Sequence, residues 1–155
     1  MKVLQLIVLF SILSTPLMSQ SISSYKFGVN LNYGGSDSGA LSEYSLVADV
    51  GRRLSLSARI GTNYSTKFRV GAGLSYSYIS RKKFRGSIGL EYHHNEESIV
   101  WQQRAVSFYS VHLPILFDFY VSNRINLNFG YVLRSTKDPY FDFDFATIGV
   151  YYRIK

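Results

Sequence analysis

The chain has 155 residues, with 17 Lys and Arg against 10 Asp and Glu, and it contains no cysteine. A chain without cysteine has no disulfide framework, thiol chemistry or thiolate metal site, and this length holds a single domain. Mean hydropathy is +0.01. No segment beyond residue 20 approaches the roughly eighteen consecutive apolar residues of a membrane helix.

Residues 1–20 stand apart from the rest. Lys2 supplies a positive start, residues 3–13 form a short apolar core, and Pro16 breaks it before Leu17-Met18-Ser19. That is the pattern of a secretory signal peptide, too short to span a bilayer. It leaves residues 21–155 as one domain.

From residue 25 onward one pattern recurs about eight times: roughly nine residues of apolar/polar alternation, then a turn. Side chains alternate sides along a strand, so each copy predicts a β-strand with one oily and one polar face. In residues 25–33, Tyr25, Phe27, Val29, Leu31 and Tyr33 oppose Lys26, Gly28, Asn30 and Asn32. Residues 44–51 set Tyr44, Leu46, Ala48 and Val50 against Ser45, Val47 and Asp49. Residues 54–64 place Arg59 opposite Leu56, Ile60 and Tyr64. In residues 68–78, Phe68, Val70, Leu74, Tyr76 and Tyr78 oppose Arg69, two glycines and two serines. In residues 84–93, Phe84, Ile88, Leu90 and Tyr92 oppose Arg85, Ser87, Glu91 and His93.

The sixth segment, 106–121, carries Tyr109, Val111, Leu113, Ile115, Phe117 and Phe119 on one face and Ser110, His112, Pro114 and Asp118 on the other. Pro114 lacks an N–H, which predicts a bulge or local break. Residues 125–133 set Ile125, Leu127, Phe129, Tyr131 and Leu133 against Asn126, Asn128 and Gly130. In the last segment Phe141, Phe143 and Phe145 share one phase and Ala146 to Ile154 the other, so a bulge is expected near 145–147.

The connections at 34–43, 94–105 and 134–140 are long, whereas those near Arg52, Ser80–Lys83 and Ser122 are tight. Alternating long and short links over an even strand count put both termini at the tight-turn end. Nine tilted residues span about 23 Å, close to the apolar band of about 25 Å that an outer-membrane barrel presents. The polar phase carries charges well inside the strands, and the apolar phase is rich in Tyr and Phe. The expected fold is therefore all-β: an eight-stranded, up-and-down, antiparallel transmembrane β-barrel with its polar face inward.

In this fold Lys26, Asp49, Arg59, Arg69, Arg85, Glu91, His112 and Asp118 form a lumen charge network, since an unpartnered buried ion is very costly. The aromatics Tyr33, Tyr44, Tyr64, Phe68, Tyr92 and Phe141 are expected at the loop-side membrane interface. Tyr25, Tyr78, Phe84 and Phe119 form the turn-side girdle. Arg52, Arg53, Arg81, Lys82, Lys83, Arg85, Arg124, Arg153 and Lys155 gather at the tight-turn end, facing anionic headgroups or an acidic partner. His93, His94, Glu96 and Glu97 match no tight metal spacing, and Asp138, Asp142 and Asp144 form no twelve-residue Ca²⁺ loop. Ser110 and His112 share a face and are nucleophile and base in type, but alternation places both inside, away from lipid.

The stretch YSVHLPILFDFYVSNRINLNFGYVL, residues 109–133, resembles the small outer-membrane β-barrel family that includes PorT-like proteins, abundant in Bacteroidota. In that family an aromatic-rich strand carries an "iPl" element before a short turn, and the next strand has a Gly ahead of its last aliphatic residues. Leu113-Pro114-Ile115, the turn at Ser122-Asn123 and Gly130 stand in those places. FGVNLNYGG near the start and IGVYYRI at the close also fit. The final Lys155 departs from the terminal aromatic that the barrel-assembly machinery reads in many barrels. The resemblance implies a fold and a Gram-negative outer-membrane location, with termini in the periplasm, more than an activity.

The sequence thus predicts a non-enzymatic outer-membrane barrel with a structural or partner-binding role. Its partners would be outer-membrane lipid, the barrel-assembly machinery during insertion, and a periplasmic or surface protein. No nucleic acid, cofactor or metal is expected. The alternatives are a lipid-modifying enzyme and a narrow small-solute pore.

Overall fold

A computed structural model describes residues 22–34, 41–63, 67–99, 104–137 and 144–154. The signal peptide expected at 1–20, the girdle positions Tyr64 and Phe141, and Asp138, Asp142 and Lys155 lie outside the described residues. Eight strands follow in order: β1 (Ile22–Tyr33), β2 (Leu41–Val50), β3 (Leu54–Thr62), β4 (Lys67–Arg81), β5 (Phe84–Ile99), β6 (Arg104–Tyr120), β7 (Ile125–Thr136) and β8 (Phe145–Arg153). Each pairs antiparallel with its neighbour in sequence. β1 also pairs with β8, from Lys26↔Arg153 to Tyr33↔Ala146, which closes the sheet into a barrel.

Alternation puts the two faces of every strand in different surroundings. Phe27, Val29, Leu31, Leu46, Leu56, Ile60, Leu90, Leu127 and Ile148 stand exposed on the outer wall. Lys26, Asn30, Ser45, Asp49, Ser55, Arg85, Glu91, Asn126 and Asn128 are buried within. This reverses a soluble protein, and it follows from the radius. Eight strands enclose a lumen just wide enough for side chains to fill. Small inner residues make the room: a Cβ on Gly71 would overlap the His93 ring, and one on Gly28 the Tyr151 ring.

Three tight links lie at one end. Gly51 has φ +63°, a left-handed conformation that glycine adopts without a Cβ penalty, and it opens the β2–β3 turn. Lys82 and Lys83 form the β4–β5 turn, and Ser122 Oγ accepts from the backbone N–H of Arg124 and Ile125 in the β6–β7 turn. At the other end the links at 34–40 and 137–144 are longer, while those at 63–66 and 100–103 span four residues each.

Two local expectations need correction, and a third, at Pro114, is met in one of its two forms. The link expected at 94–105 is largely strand, because β5 and β6 are 16 and 17 residues long. A tilted membrane strand needs only about 9–11 residues, so this hairpin projects past the apolar band. The outer wall marks the crossing point: Tyr92 and Tyr109 stack there at 5.5 Å, and His94 and Glu96 follow.

Pro114 causes a break rather than a bulge. The β5–β6 ladder pauses between Ile88↔Ile115 and Glu91↔His112 and resumes in the same register, so no residue is inserted. The proline ring is fully buried on the inner side, where Gly89 gives it space.

In β8 the register runs unbroken from Phe145, which is buried on the lumen face with Thr147, Gly149 and Tyr151. The outward phase of Ala146, Ile148, Val150 and Tyr152 dictates this, so Phe145 belongs to the lumen and 145–147 carries no bulge. The bulges lie elsewhere, between Ile22 and Ser24 in β1 and between Ser77 and Ile79 in β4.

Because the inner wall leaves no room at Gly71, Gly71→Leu is expected to lower the unfolding free energy by about 1–3 kcal/mol. The urea midpoint for loss of the folded electrophoretic band in lipid vesicles measures this. An unchanged midpoint would contradict the packing described.

Candidate functional site

The lumen is built in polar layers. Nearest the tight turns, Asp49 is the hub. Its carboxylate meets Lys26 Nζ at 2.8 Å and Arg85 Nη1 at 2.8 Å, and it accepts from Ser24 and Ser55 hydroxyls at 2.7 Å each. Arg85 also donates to Ser55 and to Ser77. All sit on the inward phase of four neighbouring strands and on β1, so alternation and register alone bring them together.

The middle layer is a bridged chain of charges. Arg59 joins Glu43 and Glu91 at 2.8 Å each, and Arg69 meets the other Glu43 oxygen at 2.6 Å. Glu91 Oε2 lies 3.0 Å from His93 Nε2. Beside them, the Tyr151 hydroxyl accepts from Asn30 at 2.9 Å and Ser45 at 3.0 Å. Above, His93 stacks on His112 at 4.0 Å, and Phe145 packs edge-on to His112 and beneath the Arg69 guanidinium.

The eight residues that the sequence assigns to a lumen network all lie on the inner face, though they do not form one network. Lys26, Asp49 and Arg85 form one ion-paired group; Arg59, Arg69 and Glu91 form another, linked by Glu43. Asp118 accepts instead from Asn126 at 3.0 Å and Asn128 at 2.8 Å. His112 Nε2 lies 2.9 Å from Ser110 Oγ. In these two groups four cations, Lys26, Arg59, Arg69 and Arg85, meet three anions, Glu43, Asp49 and Glu91; nearer the loops Lys67 pairs with Glu97 at 3.1 Å, and Arg134 and Arg153 also take the inward phase. Each pairing lowers the desolvation cost that an unpaired ion would carry.

Glu43 is the member that sequence reasoning misses. It falls in a Gly- and Ser-rich stretch assigned to a loop, and the inward Leu41 two residues earlier blurs the polar phase. Extending the Ser45–Asp49 alternation backward would find it. His93 is read on the polar face of its strand but weighed only as a metal ligand with His94, Glu96 and Glu97, and Tyr151 stands within the closing IGVYYRI without a role of its own.

The remaining space is small. One cavity of about 40 Å³ lies towards the turn end, lined by Lys26, Ser57, Arg59, Asp118 and Tyr151 among others. A second of about 40 Å³ lies towards the loops, by Asn32, Arg69, Asn95 and Phe145. Each has room for a few waters at about 10–15 Å³ apiece.

Glu91, His93 and His112 bring potential metal ligands within 4.8 Å of one another. Each is already engaged, Glu91 with Arg59 and His93, and His112 with Ser110. A divalent cation there would displace those bonds beside the Arg59 and Arg69 guanidiniums. Ser110 and His112 make the nucleophile–base contact, yet both are buried inside the barrel, with Phe145 beside the imidazole.

On the outer wall, Tyr25, Tyr33, Tyr44, Phe68, Tyr78, Tyr92 and Phe119 are exposed, and Phe84 is half-buried. Phe84, Phe117, Phe119 and Phe129 form a continuous aromatic cluster with centroids 5.0–5.8 Å apart. Of the basic residues expected at the tight-turn end, Arg85 and Arg153 take the inward phase, Arg153 pairing with Lys26 and lying over the Tyr120 ring, whereas Arg52, Arg53, Arg81, Lys82, Lys83 and Arg124 are exposed.

An apolar outer wall, a polar inner wall and a closed eight-stranded sheet define the fold of small outer-membrane β-barrels. Solved structures agree. The N-terminal β-barrel domain of Pseudomonas aeruginosa OprF superposes with a TM-score of 0.74 at 9% identity, covering 87% of this chain and 100% of that one. Neisserial surface protein A gives 0.60 at 13%, covering 83% and 95%. A designed transmembrane β-barrel gives 0.65 at 16%, covering 87% and 98%. Natural and designed chains share the architecture equally, so the likeness shows the fold alone. No protein-family model matches the sequence, and no curated protein matches it.

Since Glu43 holds two guanidiniums, Glu43→Ala is expected to cost about 3–5 kcal/mol by leaving buried cations uncompensated. Adding Arg69→Met should restore much of that loss, because it removes the orphaned charge. Unfolding in urea measures both. A cost below about 1 kcal/mol for Glu43→Ala alone would contradict this role.

Proposed function

We propose that this chain is a non-enzymatic barrel of a Gram-negative outer membrane, exported by the leader at 1–20 and inserted by the barrel-assembly machinery, with its termini in the periplasm. Its role is structural or partner-binding: a stable barrel that offers its loops and rims to a periplasmic or surface protein. Membership in the PorT-like family of Bacteroidota is part of this reading and is supported by the residues at 109–133. The observation that carries it is the filled lumen. Paired charges and the His93–His112–Phe145 stack fill much of the lumen, and the two cavities described among these residues have room for only a few waters each.

The same filling weighs against the alternatives. A lipid substrate reaches the outer wall, where Ser110 and His112 do not stand. A solute path would need the Glu43–Arg59–Glu91 layer to open, which separates ions already desolvated.

Full-length protein folded into detergent is expected to migrate faster unheated than heated, and to give no steady conductance in planar bilayers. Complete solubility without detergent would overturn the membrane reading. Steady conductance abolished by Arg59→Gln would replace the plugged barrel with a pore, and altered lipid A masses in expressing cells would replace it with an enzyme.

A further inference from the structure

The tight-turn rim carries a charge pattern that the lumen network does not explain. Among the described residues, the acidic groups nearest this end, Asp49 and Asp118, both face inward and are satisfied there. The exposed charges at the rim are therefore all positive. Two of the arginines lie against the outer wall rather than beneath the barrel, and register puts a third on the same face. Arg53 Nη1 donates to the Tyr76 hydroxyl at 2.7 Å, with its guanidinium 5.9 Å from the ring centre. Arg124 Nη1 donates to the Tyr152 hydroxyl at 3.3 Å. Tyr76 and Tyr152 are both outward residues, 42% and 46% exposed.

The third arginine reaches the wall through a bulge. In β4 the even positions Phe68 to Tyr76 face outward, so plain alternation would turn Arg81 into the lumen. The register shift between Ser77 and Ile79 adds one residue, and Tyr78 and Ile79 are both exposed. Beyond it, Ser80 pairs with the inward Arg85, and Arg81 pairs with the outward Phe84. Directly paired residues share a face, and bulges commonly re-aim side chains in this way. One inserted residue thus moves a cation from the lumen to the level of the turn-side aromatics.

We propose that Arg53, Arg81 and Arg124 form a phosphate-binding belt for anionic phospholipid headgroups in the leaflet around the tight turns. The proposal rests on the membrane reading above. Exposed aromatic residues near the strand ends mark the headgroup depth; Arg81 pairs with the girdle residue Phe84, and Arg53 and Arg124 bond the outward Tyr76 and Tyr152 at the same end. A guanidinium presents five donors in a planar fork suited to phosphate oxygens. A bond to a tyrosine hydroxyl uses one and pre-orients the rest. A lipid occupant is favoured over an acidic protein because these side chains lie on the wall, whereas a protein below would meet Arg52, Lys82 and Lys83 at the turn tips.

Native mass spectrometry of the full chain, released from micelles with equimolar phosphatidylglycerol and phosphatidylcholine, tests the belt. The parent protein should retain phosphatidylglycerol in preference, each arginine contributing about fivefold. The triple variant Arg53→Gln, Arg81→Gln, Arg124→Gln should bring the two lipids near parity while keeping heat-modifiable migration. Lys82→Gln with Lys83→Gln should keep most of the preference. If the triple variant does not fold, single substitutions carry the test, and Arg81→Lys should retain more preference than Arg81→Gln. Equal retention by the parent overturns the belt and leaves the membrane reading intact; retention of neither lipid overturns both. A preference that survives the triple variant, or disappears only with the lysines, assigns the charge to the turn tips and also overturns it.

Discussion

Closure of the sheet is the constraint from which the remaining features follow. A strand edge in hydrocarbon leaves N–H and C=O groups unpaired at several kcal/mol each, and the β1–β8 ladder removes that edge. Once eight strands close, the radius is set, and the radius sets the lumen. The inward phase of every strand is then buried without solvent to serve it. Charges placed there must pair, and small residues must alternate with large ones for the rings of His93 and Tyr151 to fit. The Asp49 hub and the Glu43–Arg59–Glu91 chain are consequences of closure as much as the outward aromatics are.

The two faces also divide the chemistry. Inside, cations pair with anions, and Glu91, His93, Ser110 and His112 are engaged with one another or with Arg59. This is why the Glu91–His93–His112 cluster and the Ser110–His112 pair read as structure despite their composition. Outside, no such pairing is enforced, and Arg52, Arg53, Arg81, Lys82, Lys83 and Arg124 stand exposed at the tight-turn end.

Much of the fold was legible in the sequence because a two-residue period survives any amount of substitution that respects the two solvents. Strand number, order, the outward set and the inward charges all follow from that period with the lengths of the tight links. What was not legible is where the inner face is itself apolar. Leu41 hid Glu43, and Phe145 drew the last strand into a false phase shift, because in both places a lumen residue looks like a wall residue. The Tyr78 bulge was hidden for a different reason: inserting a residue among aromatics leaves alternation intact on both sides and shows only in the pairing. The reach of β5 and β6 was masked by His94, Glu96 and Ser107, polar outward residues that look like a loop but belong to strands leaving the apolar band.

The central claim is that the wall side of the alternation faces lipid and the charged side does not. Because the chain has no cysteine, single cysteines carrying a fluorescent label at Leu46, Leu90 and Leu127, and at Ser45, Ser87 and Asn128, isolate the two faces. In vesicles containing spin-labelled acyl chains, the first three positions should be strongly quenched and the last three spared. Equal quenching of both sets, or quenching of the inner set alone, would contradict a barrel with its polar face inward.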